Sequence, residues 1–382
     1  MTQRWGRMGW WAWVVLAALG LVGVWQRLSQ GHQLANYNSF VPWGLWVAAY
    51  IYFVGLSAGA FLLSSLVYVF KVKALEPIGR LALVTAVITL FMALWSIWFD
   101  IGHMERFWFV FVRPNFHSMM AWMIWMYTAY FLLLLAELVL VFQNPTPPGQ
   151  RLLTILGSLG VPLAIAFHGG VGALFAVVGA RPYWHTGLFP ILFLSGALTS
   201  GGALLLAVVA WGWPQRSDAH QQLVKLLARI TLGLLLFDLL LEWAEISVPL
   251  WGGAADHIQG LRLMLFGQFW WVFWIAHLLL GSLLPVWLLL KAPADPRRAG
   301  LAGALIAVLF MSVRLNIVIP GLAVPVLPGL EGAVRQARLT ANYVPSLHEW
   351  LVLAFVVAVG ILMFAIAKRR LNLFGQLRGA TR

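Results

Sequence analysis

The chain of 382 residues contains no cysteine. Disulfides, Cys-ligated iron–sulfur clusters, c-type haem attachment and cysteine zinc sites are thereby excluded from it, and any such centre belongs to a partner. Charge is also scarce: 10% of residues are Asp, Glu, Lys or Arg, against about a quarter in a soluble domain. The chain is instead 62% hydrophobic, with 22 Trp and 24 Phe, and its mean hydropathy is +0.87. Such a composition defines a polytopic membrane protein and leaves no room for a separate soluble domain.

A spanning helix needs roughly 20 mostly apolar residues, and about ten such segments occur, near 9–26, 44–70, 80–98, 119–141, 152–178, 187–210, 226–248, 264–290, 300–319 and 348–367. Short connections such as 143–151 and 291–298 collect Pro, Gly and charged residues. The first segment lacks a small-residue cleavage site and reads as a retained span, not a removed signal peptide. With the N-terminus inside, 17 of the 25 Lys and Arg fall on the inner side and 7 on the outer, while Arg314 lies within a span. Because basic loops stay in the cytoplasm, both termini are expected there. The net charge of +13 then marks topology and affinity for membrane lipid, with no nucleic-acid partner expected.

The outer loops 99–118, 180–187 and 320–346 concentrate Trp, Tyr, His and Arg. An aromatic belt at the membrane interface accounts for part of this; an outer docking surface is the other reading. Weak internal symmetry is also visible. Ser57-Ala58-Gly59 in the second span matches Ser200-Gly201-Gly202 in the sixth, and an acid follows each, Asp100 after 41 residues and Glu242 after 40. Small residues also permit close helix packing whatever their ancestry. The expected fold is an all-α integral membrane protein forming one polytopic domain over 1–382. Helices 2–5 (about 44–178) make one four-helix bundle and helices 6–9 (about 187–319) another, with helices 1 and 10 flanking.

Six ionisable residues stand where hydrocarbon is expected. Asp238, Glu242 and Glu245 follow an i, i+4, i+7 spacing, which puts all three on one helix face. Burying such groups costs several kcal/mol unless they are paired, protonated or hydrated. Arg314 in the ninth span offers one salt-bridge partner, and Glu349 begins the tenth. One bridge leaves a surplus of acids, so a proton pathway through Asp238, Glu242, Glu245 and Arg314 is the alternative, with Glu137 in the fourth span serving the inner side.

A different set surrounds the outer half of the first bundle: Trp43, Tyr50, Asp100, His117 and His168, the last followed by Gly169-Gly170-Val171-Gly172. These residues suit a quinone, whose carbonyls need donors, whose reduction consumes two electrons and two protons, and whose tail needs a gap between apolar helices. For His168 alone, a hydrogen-bonded interior histidine is the plainer reading. His168 and His277 are the two histidines well inside spans, so a single bis-His haem stays open, although no haem is the expectation.

The stretches VPWGLWVAAYIYFVGLSAGAFLLSS (41–65), FDIGHMERFW (99–108), HGGVGALFAVVGARPYWHTGLFPILFLSGALTSG (168–201) and RLNIVIPG (314–321) together resemble the polysulfide-reductase membrane-subunit family (NrfD/PsrC-like). The likeness extends over nearly the whole chain and is greatest to its ten-span branch, which includes membrane subunits of hydrogenase-2-type and sulfite-reduction complexes. The resemblance implies a subunit without a redox centre of its own, in a bacterial or archaeal cytoplasmic membrane. Such a subunit passes electrons between menaquinone or ubiquinone and a ferredoxin-like iron–sulfur subunit docked on the periplasmic face, with a further catalytic subunit beyond. By family pattern His168 falls where a histidine lies close to the quinone, and Glu137 matches a glutamate implicated in proton handling. Trp122 and Val208 replace acids of the hydrogenase-type branch, and Val47 and Tyr50 replace quinone-contacting Asn and His of the eight-span branch. Two rivals are a proton-coupled secondary transporter and a b-type cytochrome subunit. A transporter is expected to break helices at mid-membrane, and the sequence signals no such break.

Overall fold

The computed structural model describes residues 2–143, 146–252, 255–325, 329, 336 and 338–375. Arg335, Arg378 and Arg382, which enter the charge count above, lie outside them, as does part of the 320–346 loop. Among the described residues there is no strand. The helices are α1 (Thr2–Gln30), α2 (Leu45–Tyr68), α3 (Gly79–Asp100), a single turn α4 (Phe109–Val112), α5 (Met119–Phe142), α6 (Pro147–Ala176), α7 (Phe189–Gly212), α8 (Asp218–Gly252) and α9 (Ala255–Leu265). A π-helix (Val272–Leu283) runs into α10 (Leu284–Lys291), and α11 (Pro296–Leu309), α12 (Met311–Leu322) and α13 (Leu347–Arg370) follow.

Nine helical stretches among the described residues are long and apolar enough to cross a membrane. The tenth expected span is α8, whose 35 residues give about 50 Å of length at 1.5 Å per residue. Its Asp and Glu residues, together with Arg229, are what make it less apolar than the rest.

α2 packs on α3, α3 on α5, α5 on α6 and α6 on α2. α7, α8, α10 and α11 close a second group in the same way, and α1 pairs with α13 along α3. The two groups join where α2 crosses α7. There a Cβ on Gly59 would sit 2.0 Å from the Ala197 carbonyl oxygen, and one on Gly201 would sit 2.7 Å from the Ala60 nitrogen. The two small-residue stretches singled out in the sequence therefore meet each other. Glycine is required because the backbones touch, which in lipid is a principal source of helix–helix attraction.

Two spans depart from the expectation of unbroken helices. The eighth begins at Val272 rather than near 264, because α9 ends at Leu265 and a turn intervenes. It then opens into π geometry, in which Ser282 Oγ donates to the carbonyl of His277 five residues back at 3.0 Å, and Pro285, lacking an N–H, stands at the junction with α10. The ninth tightens at Phe310, where the Val313 N–H reaches back only three residues to the Phe310 carbonyl.

One end of the spans carries the longer loops, 31–44, 101–118 and 177–188, together with the described residues 323–325 and 338–346. Glu349 ties two of them together. Ser346 caps α13 and accepts from the Glu349 N–H, while the Glu349 carboxylate accepts from the N–H groups of Asn36 and Ser346 and from the Tyr343 hydroxyl.

Candidate functional site

The five residues read as a quinone set occupy three places. Tyr50 is half-buried on α2 and donates to the Tyr127 hydroxyl on α5 at 2.5 Å. The Tyr127 ring meets Phe167 of α6 with centroids 5.3 Å apart, and the next residue is His168. That imidazole is fully buried between α6, α2 and α7, facing Gly55. Its Nε2 donates to the Phe193 carbonyl at 2.8 Å, which leaves Nδ1 a bare acceptor with no partner among the described residues. Trp43 stacks on Trp184 at 6.0 Å and meets the edge of Phe175, which in turn touches Phe193. Tyr50, Trp43 and His168 thus border one aromatic cluster.

Asp100 and His117 fall outside that cluster. Asp100 ends α3 and accepts from the Tyr37 hydroxyl at 2.7 Å. Beside it, Arg27 donates to the carbonyls of Phe99 and Ile101 at 2.7 and 2.8 Å. The partners of Asp100 come from the loop-side cap formed by α1, α3 and the 31–44 segment. Within this cap, burial pushes the Tyr37 hydroxyl well above the ordinary tyrosine range, and the Asp100 charge adds to that. Burial and the nearby Arg27 charge lower the His32 imidazole to about 4. His117 is exposed because Ser118, capping α5, leaves it in the preceding loop, where its N–H donates to Asn115 Oδ1.

The membrane acids are also divided. Glu137 is buried on α5, with Oε1 unpartnered among the described residues and 3.5 Å from where a Cβ on Gly157 of α6 would stand. On α8, Glu245 is half-buried and accepts from Thr186 Oγ1 at 3.1 Å. Glu242 is buried, its Oε2 lying 2.7 Å from His277 Nε2. Asp238 is buried deeper, and its Oδ1 has no partner among the described residues. Arg314 forms no ion pair among the described residues, so the simple salt-bridge reading fails. Its guanidinium lies 4.6 Å from the centroid of Phe193 and 5.3 Å from that of Phe310, a cation–π arrangement. It is 1% exposed, and none of its three nitrogens has a hydrogen-bond acceptor among the described residues.

Two cavities flank these groups. One, of about 50 Å³, is lined by Tyr183, Glu242, Glu245, His277 and Asn316 with apolar neighbours from α7, α9 and α12. The other is an apolar groove of about 730 Å³ between α2, α3, α12 and α13, walled by Tyr52, Phe53, Met92, Leu315 and Leu353 among others. Tyr52 commits its hydroxyl to the Ala307 carbonyl at 2.5 Å. The groove contains no ionisable side chain other than that tyrosine. It suits a hydrocarbon chain but has no group to exchange protons with a redox headgroup.

Sequence reasoning did not single out Tyr127, and it considered His277 only as a haem ligand. Tyr127 is legible only as one aromatic in an aromatic-rich helix. His277 becomes informative once the fold brings it from 35 residues away onto Glu242. For the cytochrome alternative, His168 and His277 each give a ring nitrogen to a protein partner.

The fold and its buried ionisable groups define a multi-span integral membrane protein with polar side chains buried in both groups of helices. Residues 33–326 match the family model described as polysulphide reductase, NrfD, and the chain belongs to this family. It is 34% identical to a selenate reductase subunit of Mesobacillus selenatarsenatis over 94% of this chain and 93% of that protein. It is 29% identical to the Hdr-like menaquinol oxidoreductase integral membrane subunit of Archaeoglobus fulgidus, over 92% and 90%. With the menaquinone reductase integral membrane subunit of Nitratidesulfovibrio vulgaris the identity is 25%, over 97% and 92%.

Proposed function

We propose that this chain is the quinone-reactive membrane subunit of an electron-transfer complex, exchanging electrons between menaquinone or ubiquinone and an iron–sulfur partner on the long-loop side. The observation that carries the proposal is the Tyr50–Tyr127 hydroxyl pair next to Phe167 and His168 in the loop-side half of the first bundle. A bound quinone supplies two-electron, two-proton chemistry. The chain supplies a hydroxyl donor in Tyr127, whose oxygen accepts from Tyr50 and so leaves its own proton free, and a bare acceptor in His168 Nδ1, held in place by the Phe193 carbonyl. Apolar surroundings keep bulk water from these groups and strengthen hydrogen bonds made there.

The relatives named for menaquinol or menaquinone chemistry favour the same reading. Phe107, Trp108, Phe109 and Val112 are exposed on the 101–118 loop beside Arg106 and Arg113, an aromatic and basic surface suited to docking a partner. The asymmetry of Lys and Arg supports a periplasmic position for that surface and cytoplasmic termini. A further catalytic subunit then lies beyond the iron–sulfur partner. The two helix groups serve, in this reading, as one polytopic unit in which the first carries the quinone.

The test is a fluorescence-quench titration of the purified complex with a quinol analogue, comparing the native chain with His168→Ala and Tyr50→Phe. Saturable binding that weakens in both variants is expected. Saturable binding that neither substitution changes overturns the placement, and no saturable binding overturns the function.

A further inference from the structure

Beyond the aromatic cluster, the second group of helices contains a buried ionisable pair that the quinone reading does not use. Three faces meet around it. α8 presents Asp238, Glu242 and Glu245 along one stripe. The π-helix presents His277, and α12 presents Arg314 and Asn316. The chamber of about 50 Å³ lies among them, lined on the loop side by Tyr183, whose hydroxyl donates to the Asn316 carbonyl at 2.9 Å.

The chamber is far below the roughly 300 Å³ at which small-molecule pockets begin, so it excludes a quinone ring. A water needs about 10–15 Å³ of such space, so about three to five molecules fit. Asn316 shows that water belongs there. It lines the chamber, is 4% exposed, and its Nδ2 has no partner among the described residues. A buried donor left in that state costs about 1–3 kcal/mol unless water meets it. Glu245, half-buried and bonded to Thr186 of the 177–188 loop, stands at the mouth.

Charge counting identifies the chemistry. Three carboxyl groups, Asp238, Glu242 and Glu245, share one fixed cation, Arg314, which lies within electrostatic range of Asp238 and Glu242 but bonded to neither. Tyr183 is the other titratable group facing the chamber. In a low-dielectric interior a cluster with this surplus approaches neutrality by binding protons. The Glu242–His277 contact at 2.7 Å is a place to hold one, since either atom can carry it. The π geometry contributes by offering His277 to α8 on a widened turn, a feature that recurs at functional positions.

We propose that the Glu242–His277 pair is a buried proton-binding site in exchange with water on the long-loop side through the chamber and past Glu245. Arg314 lies beyond it, against the Phe193 ring, and with Asp238, one turn from Glu242 on α8, sets the field in which the proton is held. The proposal does not depend on where a quinone binds, and its test needs no quinone.

The experiment is infrared difference spectroscopy of the full chain in lipid nanodiscs, stepped across about pH 5 to 8, the range in which an ordinary histidine changes charge. A carboxyl carbonyl band that grows and fades with pH is expected. It is lost in Glu242→Gln, and its midpoint moves by about one pH unit or more in His277→Gln. Should Glu242→Gln fail to fold, the His277→Gln midpoint decides. Hydrogen–deuterium exchange of the band is expected to slow in Asn316→Leu, which fills the chamber. A titrating band unchanged in both Glu242→Gln and His277→Gln overturns the assignment. A midpoint that moves when sodium replaces choline overturns it in favour of a cation site, and unchanged exchange in Asn316→Leu overturns the water route.

Discussion

The two groups of helices bury polar side chains in opposite ways. In α2, α5 and α6 the loop-side half is furnished with neutral groups, Tyr50, Tyr127 and His168, each set among aromatic rings. In α8, the π-helix and α12 it is furnished with ionisable groups, Asp238, Glu242, Glu245, His277 and Arg314, and with a small chamber. Hydrogen-bonding groups of tunable direction are what a quinone headgroup needs, whereas carboxyl groups in excess of cations are what a proton store needs. Phe193 lies between the two environments. Its carbonyl holds His168 and its ring lies against Arg314. The same residue therefore orients a group on each side, which makes it a candidate route for coupling.

The comparison is broken most severely at the seam. Gly201→Val places atoms where the Gly59 and Ala60 backbone already stands. Overpacking of this kind costs about 1–3 kcal/mol or more, and here the obstacle is backbone, which cannot rotate away. A large loss of thermal stability in detergent is expected, while Gly233→Ala on α8, where a Cβ meets nothing within 4 Å, is expected to be neutral or stabilising.

Next in size is the division of labour. Tyr50→Phe removes one neutral hydrogen bond, worth about 0.5–1.5 kcal/mol, so affinity for a quinol analogue is expected to fall by about three- to tenfold. Glu242→Gln is expected to leave that affinity within about twofold. A large effect of Glu242→Gln on quinol affinity would merge the two sites into one.

Effects on stability and not on quinol affinity belong to the cap, which lies against the first group. Tyr37→Phe strips the donor from Asp100 and is expected to cost about 1–2 kcal/mol in chemical denaturation. His32 gives a pH signature. Its imidazole is lowered from an ordinary 6.5 to about 4, so between these values the unfolded chain binds a proton that the folded chain does not. Stability is therefore expected to fall as pH drops through that window, and His32→Gln should flatten the dependence, as read from melting temperature against pH.

Much of this arrangement is legible in the sequence, and the reasons are specific. Long apolar runs and basic loops mark the spans, and the Ser57-Ala58-Gly59 and Ser200-Gly201-Gly202 stretches mark the seam, because close backbone approach admits few residue types. The i, i+4, i+7 spacing of Asp238, Glu242 and Glu245 puts them on one face before any fold is known. What stays hidden is pairing at a distance. Nothing local in VFWIAHLLLGSL (272–283) announces a π-helix, and nothing relates His277 to Glu242 until α8 and the π-helix pack. Asp100 reads as part of a site with His168 because both lie near the same membrane depth. Depth does not fix direction, and Asp100 turns to Tyr37. Arg314 reads as a salt-bridge partner by its charge, yet it rests on two aromatic rings.

The central claim, that a quinone headgroup binds in the first group of helices beside Tyr50, Tyr127 and His168, is tested most directly by photo-crosslinking. An azidoquinone is irradiated with the purified complex and the labelled peptides are sequenced by mass spectrometry. The account predicts label on peptides of α2, α5 and α6 around these residues, displaced by excess quinol analogue. Displaceable label confined to α8, α12 or the π-helix would contradict it.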